Sequence, residues 1–276
     1  MKKFFRVLGN IIVPIVINLA VTIGVVFIYS IILLLYMKPS FADSSLTVYI
    51  GKIFSNIYVL TGVSSAFTLI IYFFMYRNNK KDLFDICSFK KITSNHIMKV
   101  IIISIALSFS CSAFVFLVAD NFVSYELVNE GITMSHTSIL SMLYIAFFAP
   151  IFEEILFRGL ILNEIKDNYN IPLAIILQGL MFGVFHGNML QFLYASFLGI
   201  ILGVIYIWTK SIYSCILCHM IFNILGSSIV PIIINSTSKF VYLYLIIGLI
   251  LVGIILTNMI KESTHNKDIC ENEITL

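Results

Sequence analysis

The sequence predicts an all-α, polytopic membrane helical bundle of about eight transmembrane helices, with both termini on the cytoplasmic side. Three observations carry that expectation: the composition, the spacing of the charges, and the side on which the basic residues fall. Of the 276 residues 60% are hydrophobic and 11% charged, where an ordinary soluble domain is about half apolar and a quarter charged. A soluble enzyme, a nucleic-acid binder and a disordered tail are excluded as descriptions of the whole. The 17 Lys and Arg and 14 Asp and Glu are clustered, leaving uncharged runs at 11–37, 53–76, 100–119, 137–152, 168–209, 211–238 and 240–260. Most of these supply the ~20 apolar residues that a spanning helix needs. The runs are continuously apolar and do not alternate at period two, which excludes a transmembrane β-barrel.

Taken in order, the first run follows Met1-Lys-Lys-Phe-Phe-Arg6 and imitates a signal peptide. Its apolar stretch is far longer than an h-region and no small-x-small cleavage site follows, so it reads as a retained first span. The run 168–209 is twice the length of one span and is interrupted at His186-Gly187-Asn188. It reads as two helices joined by a tight turn, which brings the count to eight. Counting basic residues on alternating sides puts Lys2, Lys3, Arg6, Arg77, Lys80, Lys81, Lys90, Lys91, Lys99, Lys166, Lys210, Lys261 and Lys267 on one face, and only Lys38, Lys52 and Lys239 opposite. By the positive-inside rule the termini are cytoplasmic and the loop 120–136, with Asp120, Glu126 and Glu130, is external. No Pro-rich or Gly/Ser linker and no internal repeat divides the chain, so residues 1–276 read as one integral domain with 261–276 as a cytoplasmic polar tail.

Five cysteines are an odd number, and three lie in or against apolar runs, so no disulfide framework is expected. Cys215-Ile-Leu-Cys218-His219 spells the CxxCH signature for covalent haem. Attachment needs an exposed extracytoplasmic segment, whereas this one begins a span on the cytoplasmic side. Two small residues on a helix face is the better reading.

The informative residues are the few polar and titratable ones inside apolar spans. A charged side chain at mid-bilayer costs about 2.5–3.5 kcal/mol on insertion scales and is by default a functional hypothesis. The fourth span carries Glu153, Glu154 and Arg158, the fifth ends at His186, and the seventh carries His219 and Asn223. Glu154 and Arg158 are i,i+4 neighbours with the acid first, the favourable order for an ion pair. Glu153 is turned about 100° away by the helical period, which leaves it as the carboxylate for chemistry. His219 and Asn223 share a stripe, as do Phe182 and His186. Three helices could thus present a carboxylate, two imidazoles and a carboxamide, a set able to activate water and stabilise an oxyanion.

Each group has a plainer alternative. The Glu153, Glu154 and Arg158 cluster could cap the cytoplasmic end of its span and snorkel to water. His186 could be a turn residue beside Gly187, and His219 with Asn223 could bond across helices as structural glue. Together these readings require three coincidences. Gly179, Gly183 and Gly187, and Gly199 with Gly203, recur every fourth residue and would let backbones approach. Pro150, just before the glutamates, would kink the fourth span and open its backbone, or mark an interfacial helix end.

With these residues in place, the chain resembles the CAAX-protease and bacteriocin-processing (CPBP, Abi) family of intramembrane glutamic or metallo-endopeptidases. The family signatures EExxxR, FxxxH and HxxxN stand in order as Glu153-Glu154-Ile-Leu-Phe-Arg158, Phe182-Gly-Val-Phe-His186 and His219-Met-Ile-Phe-Asn223. The likeness covers about 137–226, the expected catalytic core. It implies an endopeptidase that hydrolyses membrane-associated peptides or protein tails, of CAAX, pheromone or bacteriocin-precursor type. In that reading Glu153 activates water, His186 shares the proton handling, His219 and Asn223 form the oxyanion site, and Glu154 with Arg158 holds the helix in register.

The resemblance leaves the cofactor open between a divalent metal such as zinc, with Glu153, His186 and His219 as candidate ligands, and none, since no HExxH is present. The implied partners are membrane lipid and a peptide or protein with a membrane-associated segment, with no nucleic acid. The implied location is a bacterial plasma membrane. A non-catalytic immunity or scaffold protein of the same family is the alternative. A proton-coupled transporter ranks below both, because no matching pair of broken helices is evident. One expectation conflicts with the rest. If the fifth span enters the bilayer at Ile171, His186 lies about 22 Å deep, while Glu153 and His219 lie nearer the cytoplasmic end of theirs. Either the fifth helix starts outside the bilayer, or the turn after His186 is buried in protein.

Overall fold

The computed structural model describes residues 1–37, 43–77, 82–135 and 138–274. Lys38, Lys80 and Lys81 of the charge count lie outside the described residues, and the side chains of Lys267 and Cys270 are outside them too. In chain order the helices are α1 (Lys2–Met37), α2 (Asp43–Ser55), α3 (Ile57–Met75), α4 (Leu83–Cys87), α5 (Ser94–Val118) and α6 (Ser124–Ser135). Then follow α7 (Ile139–Leu143), α8 (Ala149–Glu154) and α9 (Asn163–Asn168), which run on as one continuous rod, and α10 (Ile171–Phe185). The chain closes with α11 (Met189–Thr209), α12 (Ile212–Ile224), α13 (Val230–Ser236) and α14 (Val241–Ile274).

Among the described residues seven helical stretches are long and apolar enough to cross a membrane: Lys2–Met37, Ile57–Met75, Ser94–Asn121, Ile139–Asn168, Met189–Thr209, Ile212–Ser236 and Ser238–Glu262. The all-α polytopic bundle is therefore the observed architecture. The fifth of the eight apolar elements is the short one. At 15 residues, α10 rises about 22 Å, less than the ~30 Å hydrocarbon core.

Two prolines widen the rods that contain them. The turn Tyr144–Phe148, just ahead of Pro150, and the turn Leu225–Ile229, just ahead of Pro231, are both π-helical. Proline has no N–H for the carbonyl four residues back, and its ring crowds that carbonyl. Opening the preceding turn by one residue relieves both problems without breaking the rod. A third π segment, Ile155–Leu162, contains no proline and is entirely buried.

Contacts divide the chain into two compact units, Met1–Cys87 with Glu126–Asn170, and Ser88–Tyr125 with Ile171–Leu276. In the first, α1 packs on α3, and both pack on the rod Ile139–Asn168. Several buried polar groups inside it are hydrogen-bonded to one another, as burial away from water favours. Tyr72 donates its hydroxyl to the Pro14 carbonyl at 2.6 Å and stacks on Phe152 with ring centroids 6.4 Å apart. Asn18 donates to Thr68 at 3.4 Å. At the C-terminal end of the rod Lys3 and Arg6 donate to the carbonyl and side chain of Asn168, at 2.5 and 3.2 Å. They thereby place positive charge where the rod's dipole is negative.

In the second unit α5 lies against α14, α12 and α13, while α10 lies along α11. Glycine makes both contacts close. A Cβ on Gly248 of α14 would stand 2.7 Å from the Ala106 carbonyl of α5, and one on Gly199 of α11 would stand 2.9 Å from the Gly179 Cα of α10. Gln178 fastens the α10–α11 pair by donating to the Gly199 carbonyl at 2.8 Å. Gly187 does not belong to this seam. Its φ of +67° and open surroundings make it the left-handed residue of the turn after α10.

A Cβ on Gly183 would meet the Ser196 Oγ at 2.0 Å and the Phe192 carbonyl at 2.6 Å, and a backbone carbonyl cannot swing aside. Gly183→Ala is expected to destabilise the protein by about 1–3 kcal/mol, the usual cost of overpacking. Gly253→Ala, with nothing within 4 Å of the added methyl, should leave the midpoint of thermal unfolding in detergent at or slightly above that of the parent.

Candidate active site

In the first unit the two glutamates close α8 and Arg158 lies in the π segment that follows. Arg158 donates Nη1 to Glu154 Oε1 at 2.8 Å, and both side chains have 0% exposure. A snorkelling cap keeps its charge in water, so that reading does not describe this pair. Glu153 is only partly buried. The π segment is backed by α4. A Cβ on Gly159 would stand 2.3 Å from the Cys87 Sγ, and Asn163 donates to the carbonyls of Ile86 and Gly159, each at 2.9 Å. Burial pushes the Cys87 thiol up to about 12, so it stays protonated against the glycine.

In the second unit α10 ends in a turn that sets His186. The His186 and Gly187 amides donate to the carbonyls of Gly183 and Val184 at 3.2 and 3.1 Å. Asn188 then caps α11, accepting from the Leu190 and Gln191 amides at 3.0 and 3.2 Å, and its own amide donates to Ser124 at 3.0 Å. His186 Nδ1 lies 2.8 Å from the Phe182 carbonyl. A carbonyl only accepts, so the Nδ1 proton makes this bond and the second nitrogen, Nε2, carries the basic lone pair.

Phe182 joins two histidines of this unit, His186 and His219. Its ring lies edge-on to His186, with centroids 5.0 Å apart, and edge-on to His219, with centroids 5.6 Å apart. His219 is buried, and Asn223, one turn further along α12, is partly buried. The depth difference expected between His186 and His219 does not keep their side chains apart, because both rings lie against that of Phe182. Cys215 of the CxxCH string is buried and its thiol donates to the Leu202 carbonyl at 3.4 Å, a packing role on the helix face.

Residues 135–225 match the profile of the type II CAAX prenyl endopeptidase Rce1-like family. This segment is of the CAAX-protease family. Comparison with curated proteins and with solved structures gave no match. The CAAX-protease segment runs from the start of the rod Ile139–Asn168 through α12, so it contains all three motifs. With its seven long apolar helices the chain is a multi-pass membrane protein that carries a CAAX-protease-type segment.

Within neither unit, among the described residues, do three or more His, Cys, Asp or Glu side chains gather as ligands for a metal ion. Three uncharged residues set local structure in or just beyond the CAAX-protease segment. Gln178 is uncharged, although a carboxamide inside an apolar run was a signal. Pro231 was visible as a proline inside a span. Asn188 stood in a Gly-Asn turn and showed its capping role only by position.

Removing one partner of a sealed ion pair leaves the other charge buried, a loss of about 3–5 kcal/mol. Glu154→Gln and Arg158→Gln are therefore expected to lower unfolding midpoints and membrane abundance strongly. Glu153→Gln should cost only a small part of that, as read by chemical denaturation of the purified protein.

Proposed function

We propose that this protein is an intramembrane endopeptidase that hydrolyses peptide bonds in membrane-associated peptides or protein tails with a water activated by glutamate and histidine. The observation that carries the reading is the contrast between two adjacent carboxylates in the CAAX-protease segment. Glu154 is sealed and neutralised by Arg158, while Glu153 remains partly exposed. A general base must reach water, a condition that the partly exposed Glu153 meets and the sealed Glu154 does not.

In the proposed reaction Glu153 takes a proton from water as the oxygen attacks the scissile carbonyl carbon. The carbonyl oxygen becomes an oxyanion that accepts hydrogen bonds from His219 and Asn223. His186, with its Nε2 lone pair available, takes over the proton that Glu153 removed from the water and delivers it to the departing amine as the C–N bond breaks, which leaves Glu153 an anion again. Glu153, His186 and His219 also offer donor atoms of the kind zinc accepts, and a bound zinc would supply a polarised water. A pheromone or bacteriocin precursor, or a lipid-bearing CAAX tail, is the substrate class proposed, and a bacterial plasma membrane the proposed location.

Glu153→Gln is expected to abolish processing while the protein accumulates normally, and comparative peptidomics of membranes holding the parent or the variant should show uncleaved precursors only with the variant. An unchanged peptide profile and phenotype would instead identify a non-catalytic immunity or scaffold protein.

A further inference from the structure

We infer that Phe182 is a positioning residue shared by both histidines, holding His186 by its carbonyl and ring and His219 by its ring, and that Gly199 sets the depth at which Phe182 sits. Phe182 has 0% exposure, so its ring has no room to turn independently of its neighbours. Its carbonyl takes the Nδ1 proton of His186 at 2.8 Å, which fixes the tautomer. Its ring edges fix the planes of two imidazoles that come from helices 33 residues apart in sequence.

Behind Phe182 stands bare backbone. A Cβ on Gly199 would lie 3.2 Å from the Phe182 Cβ, and also 2.9 Å from the Gly179 Cα and 3.1 Å from its carbonyl. Any side chain at position 199 would therefore press on α10 at Gly179 and Phe182 together. The push would pass through a packed ring to both imidazoles, because an interior at crystal-like density transmits displacement and does not absorb it. The two histidines are thus set by one side chain and move as a pair. For its consequence on turnover this inference rests on the proposed endopeptidase activity, but the placement itself does not.

The test uses the full-length protein in lipid nanodiscs with isotope-labelled histidine, the five histidines being assigned by single His→Gln variants. In the parent, His186 should show the nitrogen pattern of an Nδ1–H imidazole. Phe182→Leu removes the ring and should shift the carbon-bound ring protons of both His186 and His219, while His96, which lies against Trp208 at 4.1 Å, stays in place. Gly199→Ala should move the same two signals, and Phe109→Leu, in the contact with Tyr244, should move neither. In a precursor-cleavage assay Phe182→Leu should lower turnover on the order of 10²-fold, as a misplacement of about 1 Å does, with an altered pH profile at unchanged protein abundance.

Movement of one histidine alone, or of neither, overturns the inference, and so does Phe182→Leu turning over like the parent. If the parent and Glu153→Gln behave alike in cleavage, the endopeptidase reading fails, and the ring-proton shifts still decide whether Phe182 sets the pair. Should Gly199→Ala fail to accumulate, the shifts in Phe182→Leu decide alone.

Discussion

Two helices that touch at backbone distance, α10 and α11, govern where the second half of the candidate site stands. In water the hydrophobic effect would drive such a contact, but lipid tails are as apolar as leucine and supply no comparable force. What remains is dispersion between close-packed atoms and a small number of hydrogen bonds that have no competitor. The seam uses both. Gly179, Gly183 and Gly199 remove the side chains that would hold the backbones apart, and Gln178 bonds across the gap to the Gly199 carbonyl. With the helices this close, the side chain of Phe182 cannot turn toward α11 and projects instead to His186 and His219. The shortness of α10 belongs to the same design. Ending it at Phe185 puts the polar turn of His186, Gly187 and Asn188 beside Ser124, where Asn188 satisfies two backbone amides that would otherwise lack acceptors.

The first unit solves a different problem, the cost of charge in a place without water. Two carboxylates follow each other in sequence, and if both were buried as anions their mutual repulsion and desolvation would drive one to protonate. The structure separates them by environment. Glu154 turns inward to Arg158 and forms a neutral pair, and Glu153 keeps partial exposure. The π segment Ile155–Leu162 makes room for the guanidinium, and Gly159 lets that widened segment sit on Cys87 of α4. One glutamate is a fixture of the scaffold, and its neighbour keeps the contact with solvent that the proposed acid–base role requires.

Much of this was legible in the chain. Uncharged runs gave the spanning helices, because nothing else in a protein combines that length with so little charge. The interruption at His186-Gly187-Asn188 marked the helix end and turn that the structure has there, whereas Gly187, read as part of the packing repeat, is the left-handed residue of that turn and Asn188 is the cap of α11. The i,i+4 spacing of Glu154 and Arg158 anticipated which carboxylate would be neutralised. The departures come from treating every helix as a uniform 3.6-residue spiral. Pro150 reads as a kink, yet the rod remains continuous and widens ahead of it, and Pro231 does the same beyond Asn223. The run 168–209 contains apolar residues enough for two full spans, but composition does not say how they are divided. The division is unequal, 15 residues in α10 against 21 in α11, and the rings of His186 and His219 both lie against that of Phe182.

The hydrogen bond inside the last turn of α10 also constrains the order of proton transfers. With Nδ1–H committed to the Phe182 carbonyl, neutral His186 presents a lone pair at Nε2 and cannot donate there until it has first gained a proton. It can therefore accept early and donate late, the sequence required of a group that hands a proton to a departing amine. It cannot stabilise an oxyanion at the moment of attack, because a lone pair facing developing negative charge is repulsive. That task falls to donors already protonated, and on α12 the Asn223 carboxamide is one at every pH, one turn beyond His219. The two histidines share a phenyl ring yet are not interchangeable. His186 begins as an acceptor because of a backbone carbonyl on its own helix. In the proposed reaction, a substitution that exchanged the protonated nitrogen of His186 would leave it unable to take up a proton at Nε2 and pass it to the departing amine, while every side chain of the motif stayed in place.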